Sequence, residues 1–264
     1  MKEKLFVIKI GGASIDDEEL LNQFLEQFSD IKEKKILVHG GGKLATTLAD
    51  KLGIEQKLIN GRRITDKDTL DIVAMVYAGS INKNIVAKLQ HKKCKAIGFS
   101  GADANLIKAK KREHPEIDFG FVGDIDEKSV NRKMISKLIK LNLIPVFSAI
   151  THDKKGNLLN TNADTIASVI AQSLSSKYEV ELLYCFDKEG VLADVENPES
   201  VIKNMSEKEF SVLKNEGRLH KGILPKLENA LGAIKNKVNK VFLIKETQLK
   251  NHIENHHGGT EICL

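Results

Sequence analysis

Residues 5–12 read Leu-Phe-Val-Ile-Lys-Ile-Gly-Gly, and residues 36–42 read Ile-Leu-Val-His-Gly-Gly-Gly. Each is a short apolar run that stops at glycines. A helical pattern follows both, from Asp16 in the first case and through Leu44, Leu48 and Leu52 in the second. Glycine at such a strand end lets the backbone approach a ligand closely, and a following helix start adds partial positive charge toward an anion. Lys9 adds a full charge beside the first turn. One glycine pair is explained equally well by a tight turn. Two such loops at the carboxyl edge of one parallel sheet are the arrangement expected where a phosphoryl group meets its acceptor.

Further apolar runs cover Lys95 to Phe99, Leu143 to Ile150, Val180 to Phe186 and Val241 to Ile244. Amphipathic segments separate them, the clearest carrying Leu70, Val73, Ala74, Tyr77, Ile81, Ile85 and Leu89 on one helical face. The alternation predicts an α/β chain with a mostly parallel sheet covered by helices. Hairpins with glycine turns are expected around Asn60 and Gly61, from Phe119 to Ile125, and around Gly156 and Asn157. The polar stretch from Asn251 to Gly259, with His252, His256 and His257, reads as a solvated loop rather than a metal site.

Composition narrows the class. With 264 residues, 41% hydrophobic and 29% charged, the chain has enough apolar material for one large unit or two fused lobes. The formal charge of +5 is spread among alternating lysines and acids, and aromatics are only 5%, so a nucleic-acid stripe is not expected. The three cysteines, Cys94, Cys185 and Cys263, are widely spaced and fit a reducing cytoplasm rather than a disulfide framework. The apolar run after Lys4 is too short for a signal segment or a membrane span, so nothing directs the chain elsewhere. Gly42-Lys43 is followed by Leu44 rather than Ser or Thr, which rejects a P-loop, and neither glycine loop has the three spaced glycines of a dinucleotide fold.

Lys9, Gly11 and Gly12, then His39 to Gly42, Asn60, Gly61, Arg63 and Thr65, then Asn160, Asn162, Ala163 and Asp164 together resemble the acetylglutamate kinases of the amino acid kinase family. The likeness continues through Gly98, Ser100, Gly101, Asp103, Asn105 and Leu106, through Phe121 to Asp124 and Leu143 to Ser148, and on to Lys226. The resemblance implies a three-layer α/β/α sandwich, with an acyl-amino-acid and dimerisation lobe over residues 1–170 and an ATP lobe over 171–264. The implied reaction is ATP-dependent phosphorylation of the γ-carboxylate of N-acetyl-L-glutamate, in arginine biosynthesis, with Mg2+ carried by the nucleotide and no metal held by the protein alone.

Residue by residue, Lys9 and Lys226 match the lysines that flank the transferring phosphoryl group, and Asp164 matches the carboxylate that orients both. Arg63 and Asn160 match the grip on the substrate α-carboxylate, with Asn162 in reach of the same site. Gly41 and Gly42 match a turn whose amides hold substrate and phosphoryl oxygens. Gly11, with Gly12, matches the phosphate-facing first loop. Asp187 and Gly190 match the nucleotide-lobe turn, and Gly222 the turn before the second lysine. Lys188 and Glu189 depart from the usual apolar and small residues, as do Lys221 and Ile223 from their counterparts.

Blander roles stand beside these. Lys9 and Asp164 also make sense as a buried ion pair, Asp164 as a helix cap, and Arg63 as a surface arginine. Lys43 and Arg62, where relatives usually carry uncharged residues, suit either a solvated surface or an extra carboxylate such as that of N-succinyl-L-glutamate. Because the chain starts at the first strand, the resemblance also implies an arginine-insensitive homodimer, with the helix from Asp66 to Leu89 at its interface. Other phosphotransferases of the same family, or an inactive ligand-sensing relative, remain as alternatives.

Overall fold

The computed structural model describes residues 2–59, 62–194, 196–219, 222–255 and 258–264, and for Arg62 the backbone only. The expectations for Asn60, Gly61, Lys221, His256, His257 and the Arg62 side chain therefore lie outside the described residues.

Eight strands form one sheet, in spatial order Asn204–Met205, Thr260–Ile262, Lys240–Lys245, Glu179–Phe186, Lys4–Ile10, Lys34–His39, Ile144–Phe147 and Ala96–Phe99. From Lys240–Lys245 to Ala96–Phe99 every pairing is parallel; Thr260–Ile262 runs antiparallel to Lys240–Lys245. The central strands need continuous apolar sequence because helices cover both faces. Leu5 to Ile8 and Ile10 are accordingly sealed from solvent. Helices Arg132–Lys140, Ala163–Leu174 and Leu224–Lys235 pack on one face, and Glu18–Asp30, Asn82–His91 and Leu249–Asn255 on the other. The three-layer α/β/α sandwich with a mostly parallel sheet is the architecture observed.

Local chemistry sets the helix ends. Asp17 caps Glu18–Asp30 by accepting from the amides of Glu19 (2.9 Å) and Leu20 (3.0 Å). At the far end the buried ammonium of Lys35 donates to the carbonyls of Phe28 (2.7 Å), Ser29 (3.1 Å) and Ile31 (2.8 Å). Leu21, Phe24, Leu25 and Phe28, spaced at i, i+3, i+4 and i+7, form its buried face.

Three expectations differ from the structure in detail. The apolar stripe from Leu70 to Leu89 lies on a continuous helix, Lys67–His91, but Ala74–Ile81 is wound as a π-helix. The segment Phe119 to Ile125 does not fold back on itself. Gly120 turns the chain with φ +69, and Gly123–Asp124 pairs antiparallel with the upstream Lys110–Lys111. His252 is not in a solvated loop: it sits on helix Leu249–Asn255, only 1% exposed, in an edge-to-face contact with Phe242 at 4.4 Å between ring centroids. The other hairpins are present: Leu58–Ile59 pairs with Arg62–Arg63, and Ile150–His152 with Leu158–Asn160. Residue 170, the boundary expected between lobes, falls inside helix Ala163–Leu174, and strands from both sides of it share the one sheet.

Candidate active site

Parallel strands bring their carboxyl ends to one edge. The three adjacent strands Glu179–Phe186, Lys4–Ile10 and Lys34–His39 therefore deliver Asp187, Gly11 and Gly40 side by side. Lys9 is the penultimate residue of its strand, level with Val38 and Tyr184. Helix Ala163–Leu174 crosses beneath these strands and begins at the same edge. Its cap is Asn162, whose Oδ1 accepts from the Thr165 amide at 3.0 Å. Asp164 is therefore not the cap. As the second helical residue its carboxylate is free for other partners, and it takes two.

Lys9 Nζ lies 2.8 Å from Asp164 Oδ1, and Lys226 Nζ lies 3.3 Å from Asp164 Oδ2. Lys226 arrives from the first turn of helix Leu224–Lys235, which packs against the helix carrying Asp164. Lys9 and Asp164 are 7% and 5% exposed, so this charge is held largely out of water. Burial disfavours ionisation of Asp164, yet the two ammonium groups outweigh it and hold the carboxyl below its ordinary range. Burial pushes Lys9 below the ordinary lysine value, Asp164 opposes the shift, and Lys226 adds to it. Tyr184 donates its hydroxyl proton to the Asp164 carbonyl at 3.0 Å and so fixes the helix start from within the sheet.

The glycine loops close around this clamp. A Cβ on Gly40 would lie 3.7 Å from Ala163, the residue before Asp164. A Cβ on Gly11 would lie 3.1 Å from the Cys185 carbonyl and 3.8 Å from Glu246 Oε2. Gly41 has φ +143, and a Cβ there would sit 2.0 Å from Ile81 Cδ1, so only glycine fits. On one side of the clamp a cleft of about 470 Å³ is lined by Gly11, Gly12, Asp187, Gly190, Gly222 and Lys226, with apolar walls from Val191, Leu192, Leu219 and Ile223. Lys188 also lines it, whereas Glu189 turns away to accept from Lys245 (2.7 Å) and Gln248 (2.7 Å). The two departures from the usual sequence thus point in different directions, one into the cleft and one into its supporting loop.

Arg63 and Asn160 lie toward the Gly40–Gly42 loop. Arg63 donates to the Gly42 carbonyl (3.0 Å) and Thr46 Oγ1 (2.9 Å), and also to Gln56 Oε1. Burial pushes the neighbouring Tyr77 phenol above its ordinary pKa, and the Arg63 guanidinium opposes the shift without cancelling it. Asn160 Nδ2 donates to Thr65 Oγ1 at 3.0 Å, and Thr65 Oγ1 donates to the Arg63 carbonyl at 3.3 Å, so the two motif residues are bridged through Thr65. Asn162 is exposed at the head of its helix, with its oxygen spent on the cap.

Sequence reasoning did not single out Gln56, Thr46 or Tyr77 around Arg63, nor Glu246 behind Gly11. Tyr77 belonged to an apolar stripe and reads as core. Glu246 directly follows the strand Lys240–Lys245, is 3% exposed, and has its carboxyl pushed above the ordinary range by burial. A carboxylate directly after the strand Lys240–Lys245 is the one signal that could have found it.

Comparison with known proteins points to one family. The model of the amino acid kinase family matches residues 4–245. The chain is 50% identical to an acetylglutamate kinase of Phocaeicola vulgatus, over 92% of this chain and 94% of that one. It is 48% identical to an acetylglutamate kinase of Bacteroides fragilis, over 99% and 98%. Among solved structures, the smu.665 protein of Streptococcus mutans superposes with a TM-score of 0.81 at 25% identity, covering 99% of each chain.

Proposed function

Because this chain belongs to the amino acid kinase family, we propose that it transfers the γ-phosphoryl group of ATP to the side-chain carboxylate of N-acetyl-L-glutamate. The products are an acyl phosphate and ADP, in a step of arginine biosynthesis carried out in the cytoplasm. The observation that carries this reading is the clamp itself: two ammonium groups, from residues far apart in sequence, on one buried carboxylate between two glycine loops.

ATP occupies the cleft beside Gly11, Gly12 and Lys226, with Asp187, Gly190 and Gly222 at its rim and the apolar walls against the base. Mg2+ carried by the nucleotide would supply charge neutralisation at its phosphate oxygens. The acyl amino acid lies toward Arg63 and Asn160, which grip its α-carboxylate, with Asn162 nearby. A carboxylate nucleophile is already ionised near neutral pH, so no general base is needed. Catalysis reduces to alignment and to neutralising charge on the transferring oxygens. Asp164 holds Lys9 and Lys226 at a fixed span, one on each carboxylate oxygen, and its charge opposes the effect of burial on Lys9. Gly11 and Gly41 offer amides that approach the phosphoryl group closely because no side chain intervenes. In this assignment residues 1–170 hold the acceptor and residues 171–264 the nucleotide, and two copies associate through helix Lys67–His91, on which Met75 is exposed.

A coupled ADP-release assay with N-acetyl-L-glutamate tests the reading and separates it from an inactive ligand sensor. Acceptor-dependent ADP release supports it; none with any acylated glutamate sinks it. The observation favouring N-succinyl-L-glutamate as the preferred acceptor is Lys43, exposed on the first turn of helix Gly42–Lys51 beside the acceptor loop. A marked preference for the acetyl compound in kcat/KM removes that second reading.

A further inference from the structure

A directional chain of hydrogen bonds runs from the sheet into the Gly40–Gly42 loop. The Val146 carbonyl can only accept, so the amide nitrogen of Asn82, 3.0 Å away, must face it. The same Nδ2 lies 3.0 Å from His39 Nε2, which makes Nε2 the unprotonated nitrogen of the ring. Nδ1 then carries the proton and donates to the Gly40 carbonyl at 2.9 Å. His39 and Asn82 are both fully buried. Room for the amide is made by Gly98, where a Cβ would fall 1.9 Å from Asn82 Oδ1.

The consequence lies one bond further on. In a trans peptide the carbonyl of Gly40 and the N–H of Gly41 point in opposite directions. Fixing the carbonyl against the buried ring turns the Gly41 N–H away from the core. Ile81 holds the same residue from the side, its Cδ1 filling the space where a Gly41 Cβ would lie. Ile81 and Asn82 are consecutive at the end of the π-wound segment, so one piece of irregular helix supplies both contacts.

We propose that His39, backed by Asn82, is a positioning residue: it holds the Gly40–Gly41 peptide so that the Gly41 N–H faces the transferring phosphoryl group. The role rests on the kinase reading above, but the peptide lock is measurable without it. The ring touches no reacting atom and acts through the peptide it pins.

The test compares His39→Leu with His39→Asn, whose side-chain amide can place a donor where Nδ1 was. His39→Leu should lose about 10²-fold in kcat, the scale of one misdirected donor, with KM for both substrates changed less than about threefold. His39→Asn should recover to within about tenfold of wild type. In 15N-glycine-labelled protein the Gly41 amide should broaden or split in His39→Leu and stay single in His39→Asn. If His39→Leu does not fold, Asn82→Ala must show the same kcat loss at unchanged KM. A folded His39→Leu or Asn82→Ala protein with wild-type kcat, or with a sharp, unshifted Gly41 signal, overturns the proposal. The amide readout needs no acceptor, so an enzyme that rejects N-acetyl-L-glutamate refutes the functional reading while leaving the lock to be judged by itself.

Discussion

Replacing Asp164 by Asn removes the one negative charge between two ammonium groups and alters little in shape. With separations of 2.8 Å and 3.3 Å, Coulomb attraction at an effective dielectric of about 20 amounts to about 6 and about 5 kcal/mol, before desolvation is subtracted. Removing one partner of a buried ion pair costs about 3–5 kcal/mol. For a chain of this size that corresponds to a fall in Tm on the order of 10 °C. Lys9, only 7% exposed, then has no counterion, and its proton affinity drops further. Turnover should fall by about 10²- to 10³-fold, as when a charge-stabilising group is lost. The companion variant Lys9→Met/Asp164→Asn separates the two effects. It should regain much of the lost Tm, because no uncompensated buried charge remains, while turnover stays low. Thermal denaturation and coupled ADP release read both quantities. Wild-type turnover in the double variant would refute the reasoning, because it would make the clamp a stabilising ion pair and nothing more.

Other outcomes follow from the same site. Burial lowers the His39 pKa from 6.5 to about 4, so between those values the unfolded chain binds more protons and stability rises with pH. The contribution, about 3 kcal/mol, is complete above pH 6.5 and gone below pH 4; urea melts of His39→Asn should lack that part of the slope, and an unchanged slope contradicts the buried neutral ring. Gly41→Ala meets both a positive φ and the Ile81 methyl, so it should abolish most turnover; Gly41→Ala/Ile81→Ala relieves the clash but not the φ, and full recovery of turnover there would show that the backbone conformation is irrelevant. Arg63→Lys loses the fork that meets Gly42, Thr46 and Gln56 and should raise KM for the acceptor about tenfold or more at unchanged KM for ATP, measured by steady-state kinetics. A shift confined to ATP would move Arg63 to the other side of the clamp.

Much of the fold was legible because parallel-sheet strands have a strong signature. Leu5 to Ile10 and Val180 to Phe186 had to be strands, being too short for helices and too apolar for loops, and glycines marked where each chain turned at the edge. The π-wound segment was not legible: Ala74 to Ile81 has the same apolar spacing as an ordinary helix, and a single extra residue per turn leaves no compositional trace. Nor was the burial of His252, which looks hydrophilic in a polar stretch but becomes an aromatic-edge contact once the helix docks on Phe242.

The sequence alone determined residue chemistry and strand order of appearance: which runs are apolar, where a side chain is absent, and where a lysine sits one step inside a strand end. Those are local properties, set by a few neighbours in the chain. Only the tertiary structure decided that Lys9, Asp164 and Lys226 share one point in space, that Asn162 rather than Asp164 caps its helix, and that a buried ring grips the Gly40 carbonyl. The clamp, and the Asn82 contact that sets the ring, depend on distances between residues tens to hundreds of positions apart, which are set by how helices pack on the sheet. The cap and the ring-to-carbonyl bond span few residues, but the choice among local partners is made by that same packing.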